Sequence, residues 1–160
     1  MRALQFAARL NSFRSRSEDY WPLKNHKVST LDLLARAATV PGLNAVDLNY
    51  PDHLADVDAG ELKDRMAAGG LALNGYAMRY YTEPAFKLGA FTNPDAVVRR
   101  KAIDLTKRGI DSMRAAGGAV MTLWLGQDGF DYSFQADYRA LWEARDHFVC
   151  ASFFSRCSSR

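Results

Sequence analysis

The chain has almost no cysteine, no long apolar run and no strong charge of either sign, and each shortage excludes a class of protein. Only Cys150 and Cys157 occur among the 160 residues, both close to the end of the sequence. The rest therefore holds neither a disulfide framework nor a thiolate metal site. No stretch approaches the roughly 20 apolar residues that a membrane-spanning helix needs. The first twenty residues lack both a long apolar core and a small-residue cleavage motif, so no secretory signal is expected and the cytoplasm is the expected compartment. The formal charge is +3, from 21 basic and 18 acidic residues. Arg2, Arg9, Arg14, Arg16, Arg145, Arg156 and Arg160 sit near the two ends rather than in a stripe. A phosphate-backbone footprint is missing, and no nucleic-acid partner is expected. What is present is 48% hydrophobic and 24% charged, the balance of an ordinary globular domain with one sizeable core.

Short apolar runs alternate with segments of helical period. The runs are Leu4 to Leu10, Ala45 to Leu48, Leu71 to Leu73 and Ala119 to Leu125. Continuous rather than alternating apolar character predicts strands covered on both faces, hence a parallel sheet. Ser29 with Asp32 three residues on predicts a capped helix start before Leu33, Leu34, Ala37 and Ala38, stopped by Pro41-Gly42. Glu61 to Ala68 reads as a second helix closed by Gly69-Gly70. Asn93-Pro94-Asp95 predicts a third, with Asn93 as cap, running through Val98, Ala102, Leu105, Ile110 and Met113 to Gly117-Gly118. A fourth is expected from near Phe134, with Tyr138, Leu141 and Trp142 on its buried side. The unit is strand, loop, helix, four times over. It fits either a doubly wound open sheet or part of a (β/α)8 barrel, which takes about 250 residues when complete.

In both architectures the chemistry belongs at the carboxyl ends of the strands. Those positions hold Arg9 and Asn11, then Asn49, Asp52 and His53, then Asn74 and Tyr76, then Trp124, Gln127 and Asp128. Amides, carboxylates and ring faces suit a polyhydroxylated ligand, whose apolar face packs on a ring while its hydroxyls need donors and acceptors. His53 is open to two readings, a proton-transfer group or a solvent-facing loop histidine beside Pro51. Trp124 is either a core residue or an indole presented at the sheet's mouth by the loop that follows. Asp128 and Asp131 read as solvated loop carboxylates or as oxygen donors to a cation. Tyr80, Tyr81, Phe86 and Phe91 make an aromatic loop, either core or subunit contact.

Two stretches resemble a known family. Phe86-Lys87-Leu88-Gly89-Ala90-Phe91-Thr92-Asn93-Pro94-Asp95, followed by Val98-Arg99-Arg100 and Ala102-Ile103, resembles the segment joining the third strand to its helix in xylose isomerases. Trp124-Leu125-Gly126-Gln127-Asp128-Gly129-Phe130-Asp131 resembles the loop after their fourth strand. The order and separation match as well, and the resemblance covers Leu4 to Trp142. It implies the xylose isomerase-like sugar isomerase and epimerase superfamily, built on a TIM barrel and represented here by an incomplete barrel of about four βα units with a parallel sheet. The implied activity is metal-assisted aldose to ketose isomerisation, or epimerisation, of a monosaccharide.

By that resemblance Trp124 and Tyr76 would wall the sugar, with Arg9, Asn49 and Gln127 as further binding residues and His53 as a possible catalytic group. Asn49 and Tyr50 stand where xylose isomerases carry a His-Asp pair, and His53 is displaced, which implies a sugar other than xylose. Mg²⁺, Mn²⁺ or Co²⁺ is implied for the family. Its ligands come from the second half of the barrel, so no metal residue is expected in this chain. After Glu143 the composition changes: residues 144–160 hold both cysteines, four serines and three arginines. The expected division is therefore 1–143 as the N-terminal half of a barrel and 144–160 as a tail outside the family pattern, from a frameshift or an early end. An inactive chain that self-associates through exposed sheet edges is the corresponding expectation. The competing reading is a small non-catalytic α/β binding module, marked by a reversal of strand order. A metal-cluster endonuclease of similar fold would need His and Glu clusters and basic DNA contacts, which the sequence does not offer.

Overall fold

A computed structural model of the chain describes residues 4–21, 27–125, 128 and 134–153, with the side chains of the last helix as far as Phe148. Four strands, β1 (Ala7–Arg9), β2 (Ala45–Tyr50), β3 (Ala72–Arg79) and β4 (Val120–Trp124), form one sheet in the order β1-β2-β3-β4. The pairs β1/β2 and β2/β3 are parallel. A short helix α1 (Ser17–Tyr20) and the helix α2 (Thr30–Ala38) follow β1; α3 (Ala59–Ala68) follows β2, α4 (Ala96–Ala115) follows β3 and α5 (Tyr138–Phe153) follows β4. Sequential order without reversal is that of an incomplete TIM-barrel-like fold; the reversal that marks a doubly wound module does not occur among the described residues.

The helix starts follow capping chemistry. At α2, Ser29 Oγ accepts the Asp32 N–H at 3.2 Å while Asp32 Oδ2 accepts the Ser29 N–H at 2.9 Å, a reciprocal pair that satisfies two otherwise orphaned donors. At α3 the cap is Asp58, whose Oδ1 accepts from Gly60 and Glu61, so the helix begins two residues before the expected Glu61. At α4, Asn93 Oδ1 instead accepts the Asp95 N–H, and Asp95 takes the Val97 N–H, which moves the cap from Asn93 to Asp95. At α5 the cap is Asp137, which accepts from Arg139 and Ala140, so the start is Tyr138 and not Phe134. Tyr138 and Trp142, expected on the buried side of this helix, are exposed, whereas Phe148 is buried. The change of composition after Glu143 does not interrupt α5, which continues to Phe153.

The strands depart from their sequence reading in three places. β1 is three residues long because Leu10 turns into a 3-10 segment, Leu10–Arg14, leaving Leu4 and Phe6 exposed. β4 alternates between exposed and half-buried residues instead of being covered on both faces, as suits the edge strand of the described sheet. β3 does not stop at Leu73. Asn74-Gly75 looks like a turn signal, but the strand runs through it on a β-bulge: Val46 pairs with Leu73 and Asp47 with Gly75, so Asn74 is the extra residue. Gly75 is required there, since a Cβ would sit 1.9 Å from the Val120 carbonyl oxygen.

The chain divides into two compact units, Met1–Met78 with Gly109–Thr122, and Arg79–Arg108 with Leu123–Arg160. In the first, Leu33, Leu34 and Ala37 of α2, Leu62 and Met66 of α3, Met113 of α4 and the Ala116 that follows it pack on Val46, Leu48, Leu73 and Tyr76 of the sheet. Each fully buried Leu of this set contributes about 1.5–3 kcal/mol of hydrophobic stabilisation. In the second unit the buried contacts are between rings. Tyr80 meets Phe86 and Phe91 edge-on at centroid distances of 5.8 and 4.8 Å, and Phe148 stacks on Phe91. Three of the four aromatic loop residues are therefore core; Tyr81 is half-buried beneath the Arg79 guanidinium.

Candidate functional site

In the first unit the alternation of β2 sorts its residues onto two faces. Val46, Leu48 and Tyr50 pack against the helical core, so Asp47 and Asn49 lie on the opposite face. Arg9 on β1 pairs with Asp47, and its Nη2 donates to Asn49 Oδ1 at 3.1 Å. Asn74 Nδ2, brought to this face by the bulge, donates to Asp47 Oδ1 at 2.7 Å. Beyond β2, the 3-10 turn Asp52–Leu54 returns His53 to the strand end, where its Nδ1 accepts the Asn49 N–H at 3.0 Å. An accepting Nδ1 is unprotonated, so the neutral ring carries its hydrogen on Nε2. His53 is 3% exposed, which corrects the solvent-facing reading: the strand end needs an acceptor, and the imidazole supplies it.

Asn49 is 1% exposed, yet its Nδ2 has no hydrogen-bonding partner among the described residues, and neither has the buried Asn11 Oδ1. The Arg9 contact fixes the Asn49 amide, because a flip would set NH₂ against guanidinium. A buried donor and a buried acceptor thus stand unsatisfied at the ends of β1 and β2, a condition costing about 1–3 kcal/mol each and relieved by a hydroxyl or a water.

Tyr76 lies elsewhere. The bulge at Asn74 shifts the alternation by one residue, so Tyr76 shares the helix face with Leu48, 1% exposed. Its ring stacks on Tyr50 at 5.8 Å and its hydroxyl lies 3.5 Å from Ser112 Oγ on α4. Burial raises the phenol's pKa above the usual tyrosine value. Asn74 and Tyr76 are consequently mid-strand residues, and the carboxyl end of β3 is at Arg79. The structure brings Arg9, Asn49 and His53 together, and adds Asp47, which the sequence reading passed over. Its position two residues before Asn49 on one strand was the available signal.

In the second unit Trp124 ends β4 with 53% exposure, which excludes the core reading of its indole. Asp128 is no solvated carboxylate: its Oδ1 accepts the N–H groups of Ala90, Phe91 and Thr92 at 2.6, 3.0 and 3.1 Å and the Thr92 hydroxyl at 2.7 Å. It joins the loop after β4 to the loop after β3. Tyr80, whose hydroxyl lies 2.7 Å from Thr106 Oγ1, is held well above the usual tyrosine pKa by burial. Gln127 and Asp131 lie outside the described residues. Among the described residues no group of three or more His, Cys, Asp or Glu side chains is placed to hold a metal ion. They do not fit the family's metal, and no step is assigned to one. Nor is any described helix long and apolar enough to cross a membrane.

No protein-family model matches the chain. Among curated proteins it is similar to a xylose isomerase of Solibacter usitatus, 28% identical over 108 residues that cover 68% of this chain and 23% of the relative. A xylose isomerase of Thermus thermophilus is 27% identical over 93 residues, 58% of this chain and 24% of its own length. A probable sugar isomerase of Rhizobium meliloti is 27% identical over 105 residues, 62% and 24%. The chain thus spans about a quarter of the length of the curated relatives it matches. This partial similarity to proteins named xylose and sugar isomerases is consistent with the N-terminal part of the xylose isomerase-like superfamily.

Proposed function

We propose that the chain carries the sugar-binding first units of a monosaccharide isomerase or epimerase. The observation that supports this most is the polar group at the ends of β1 and β2, Arg9, Asn49 and His53, in a sequentially ordered parallel sheet. Relatives named xylose and sugar isomerases give the class of substrate. Under this reading Arg9 and the Asn49 amide donate to sugar oxygens, and Asp47 and Asn11 accept from hydroxyls. Asp47 also offsets the Arg9 charge, so the pair presents a mixed surface suited to a neutral polyol. Neutral His53 holds the Asn49 strand end and is the proton-transfer group of this reading. Tyr76 backs β3 from the helix side. Trp124 and Gln127 are included as sugar-binding residues on the family resemblance alone.

The family resemblance implies a divalent metal that polarises the open-chain carbonyl. The resemblance places the residues for that metal in the second half of the barrel, so under this reading the chain by itself binds and orients the sugar without turning it over. Residues 1–143 are the family-like part and 144–160 a tail outside the family pattern, of which 144–153 lie on the last helix. A cytoplasmic location and self-association through the β1 and β4 edges belong to the same proposal. Titration calorimetry with aldoses and ketoses tests it: saturable binding of a monosaccharide, weakened about tenfold in Arg9→Gln, is expected. Absence of binding to every sugar by a folded chain would remove the reading.

A further inference from the structure

The contact made by Asp128 contains more donors than a carboxylate oxygen suits. Three consecutive N–H groups, of Ala90, Phe91 and Thr92, and the Thr92 hydroxyl all converge on Oδ1. Four donors exceed the two lone pairs of a single carboxylate oxygen, whereas the three terminal oxygens of a phosphate, or both oxygens of a ligand carboxylate, would share them. Successive N–H groups pointing one way form a nest, a recurrent anion-binding arrangement of the main chain. Gly89 precedes it at φ +102°, and a Cβ there would lie 2.9 Å from Asp128 Oδ1 and 2.7 Å from Thr92 Oγ1, so the cradle admits only glycine.

A cavity of about 310 Å³ opens beside the nest within the same unit. Thr92 and Asp128 form one part of its lining, and Phe91, Tyr138, Trp142 and Arg145 contribute ring faces and a cation. The Arg145 guanidinium lies 3.7 Å over the Trp142 ring, with Nε and Nη2 donating to Asp146 Oδ1 at 3.3 and 2.9 Å. Nest, cation and apolar walls therefore border one space.

We propose that the 90–92 turn is an oxyanion site held shut by Asp128, and that the phosphate or carboxylate of a small ligand seated in this cavity displaces Oδ1. Arg145 meets the same anion from α5, and Phe91 and Trp142 cover the ligand's apolar face. The proposal is independent of sugar binding at β1 and β2, and no bond is made or broken.

The test follows the backbone amides of Ala90, Phe91 and Thr92 by nitrogen-15 NMR in the full chain during titration with inorganic phosphate, acetate or chloride. Asp128→Ala empties the nest, so phosphate or acetate is expected to shift all three amides and to bind about tenfold more tightly than to the wild type. Arg145→Gln in that background should reverse the gain. Phosphate as the tighter ligand assigns a phosphate ester, acetate a carboxylate, and chloride should do neither. A folded Asp128→Ala chain whose three amides ignore both oxyanions would overturn the proposal, as would equal binding by wild type and variant. Should Asp128→Ala fail to fold, the wild type decides. A saturable response of these amides to phosphate, lost in Arg145→Gln, supports the site, and its absence overturns it.

Discussion

The two units solve the same packing problem with different material. The first buries leucine, alanine and methionine from three helices against β2 and β3 and carries Arg9, Asp47, Asn49 and Asn74 on the other face of the sheet. The second relies on Tyr80, Phe86, Phe91 and Phe148, and closes its loops with the Asp128 clasp and the Tyr80–Thr106 contact. Aliphatic packing tolerates a polar strand end nearby because it asks nothing of that end. Ring packing with buried hydroxyls ties stability to hydrogen bonds and to ionisation.

The largest expected break in this contrast is Phe91→Ala, which removes the ring shared by Tyr80 and Phe148 and should cost about 3–5 kcal/mol. Leu62→Ala, its counterpart in the first unit, should cost about 2–5 kcal/mol. Chemical denaturation of each variant reads both, and a loss below 1 kcal/mol at Phe91 would show that its rings are not core. Next is Tyr80→Phe, which leaves the buried Thr106 hydroxyl with its bond to the Ala102 carbonyl and should cost about 0.5–1.5 kcal/mol.

The same residue sets an alkaline limit. With the folded-state pKa raised above the ordinary value of 10.0, Tyr80 and Tyr76 favour the fold fully below that pH. Stability falls as pH rises past it, because the unfolded chain ionises first. Tyr80→Phe should flatten the decline, as measured by stability against pH from 9 to 12. A smaller effect is acidic and lies in the first unit. Burial raises the Asp56 pKa, but the Thr30 hydroxyl and N–H outweigh it and leave a net lowering. Asp56 therefore stabilises the fold above its ordinary value of 3.8, and that contribution is lost as pH falls through the lowered one. Thr30→Ala removes the hydroxyl but keeps the N–H and should weaken this dependence, and an unchanged acid limb would contradict it.

Much of the fold was legible because local signals and the global pattern agreed. Ser29 and Asp32 form the capping box their spacing predicts, and Pro41-Gly42, Gly69-Gly70 and Gly117-Gly118 follow their helices. The site was less legible. Asn74-Gly75 has turn composition, yet the strand passes through it, and one extra residue puts Tyr76 mid-strand on the helix face and not at the carboxyl end where it is expected. Composition carries no trace of a bulge, because it arises from pairing with β2 and from the approach of Val120 to Gly75. The clasp of Asp128, which with Asp131 reads as a solvated loop carboxylate or a cation's oxygen donor, is hidden for a similar reason: its four donors lie 36 to 38 residues away. His53 was placed correctly along the chain, but its burial depends on an acceptor being needed at Asn49.

The central claim is that the ends of β1 and β2 hold a monosaccharide through Asn49 and Arg9. It is tested most directly by titrating the nitrogen-15-labelled chain with D-xylose and other monosaccharides while observing the Asn49 side-chain amide. The account predicts a saturable shift of that amide, since its Nδ2 has no protein partner among the described residues, and loss of the response in Arg9→Gln. An Asn49 amide that stays unmoved by every sugar, in a chain whose other resonances remain those of the folded state, would contradict it.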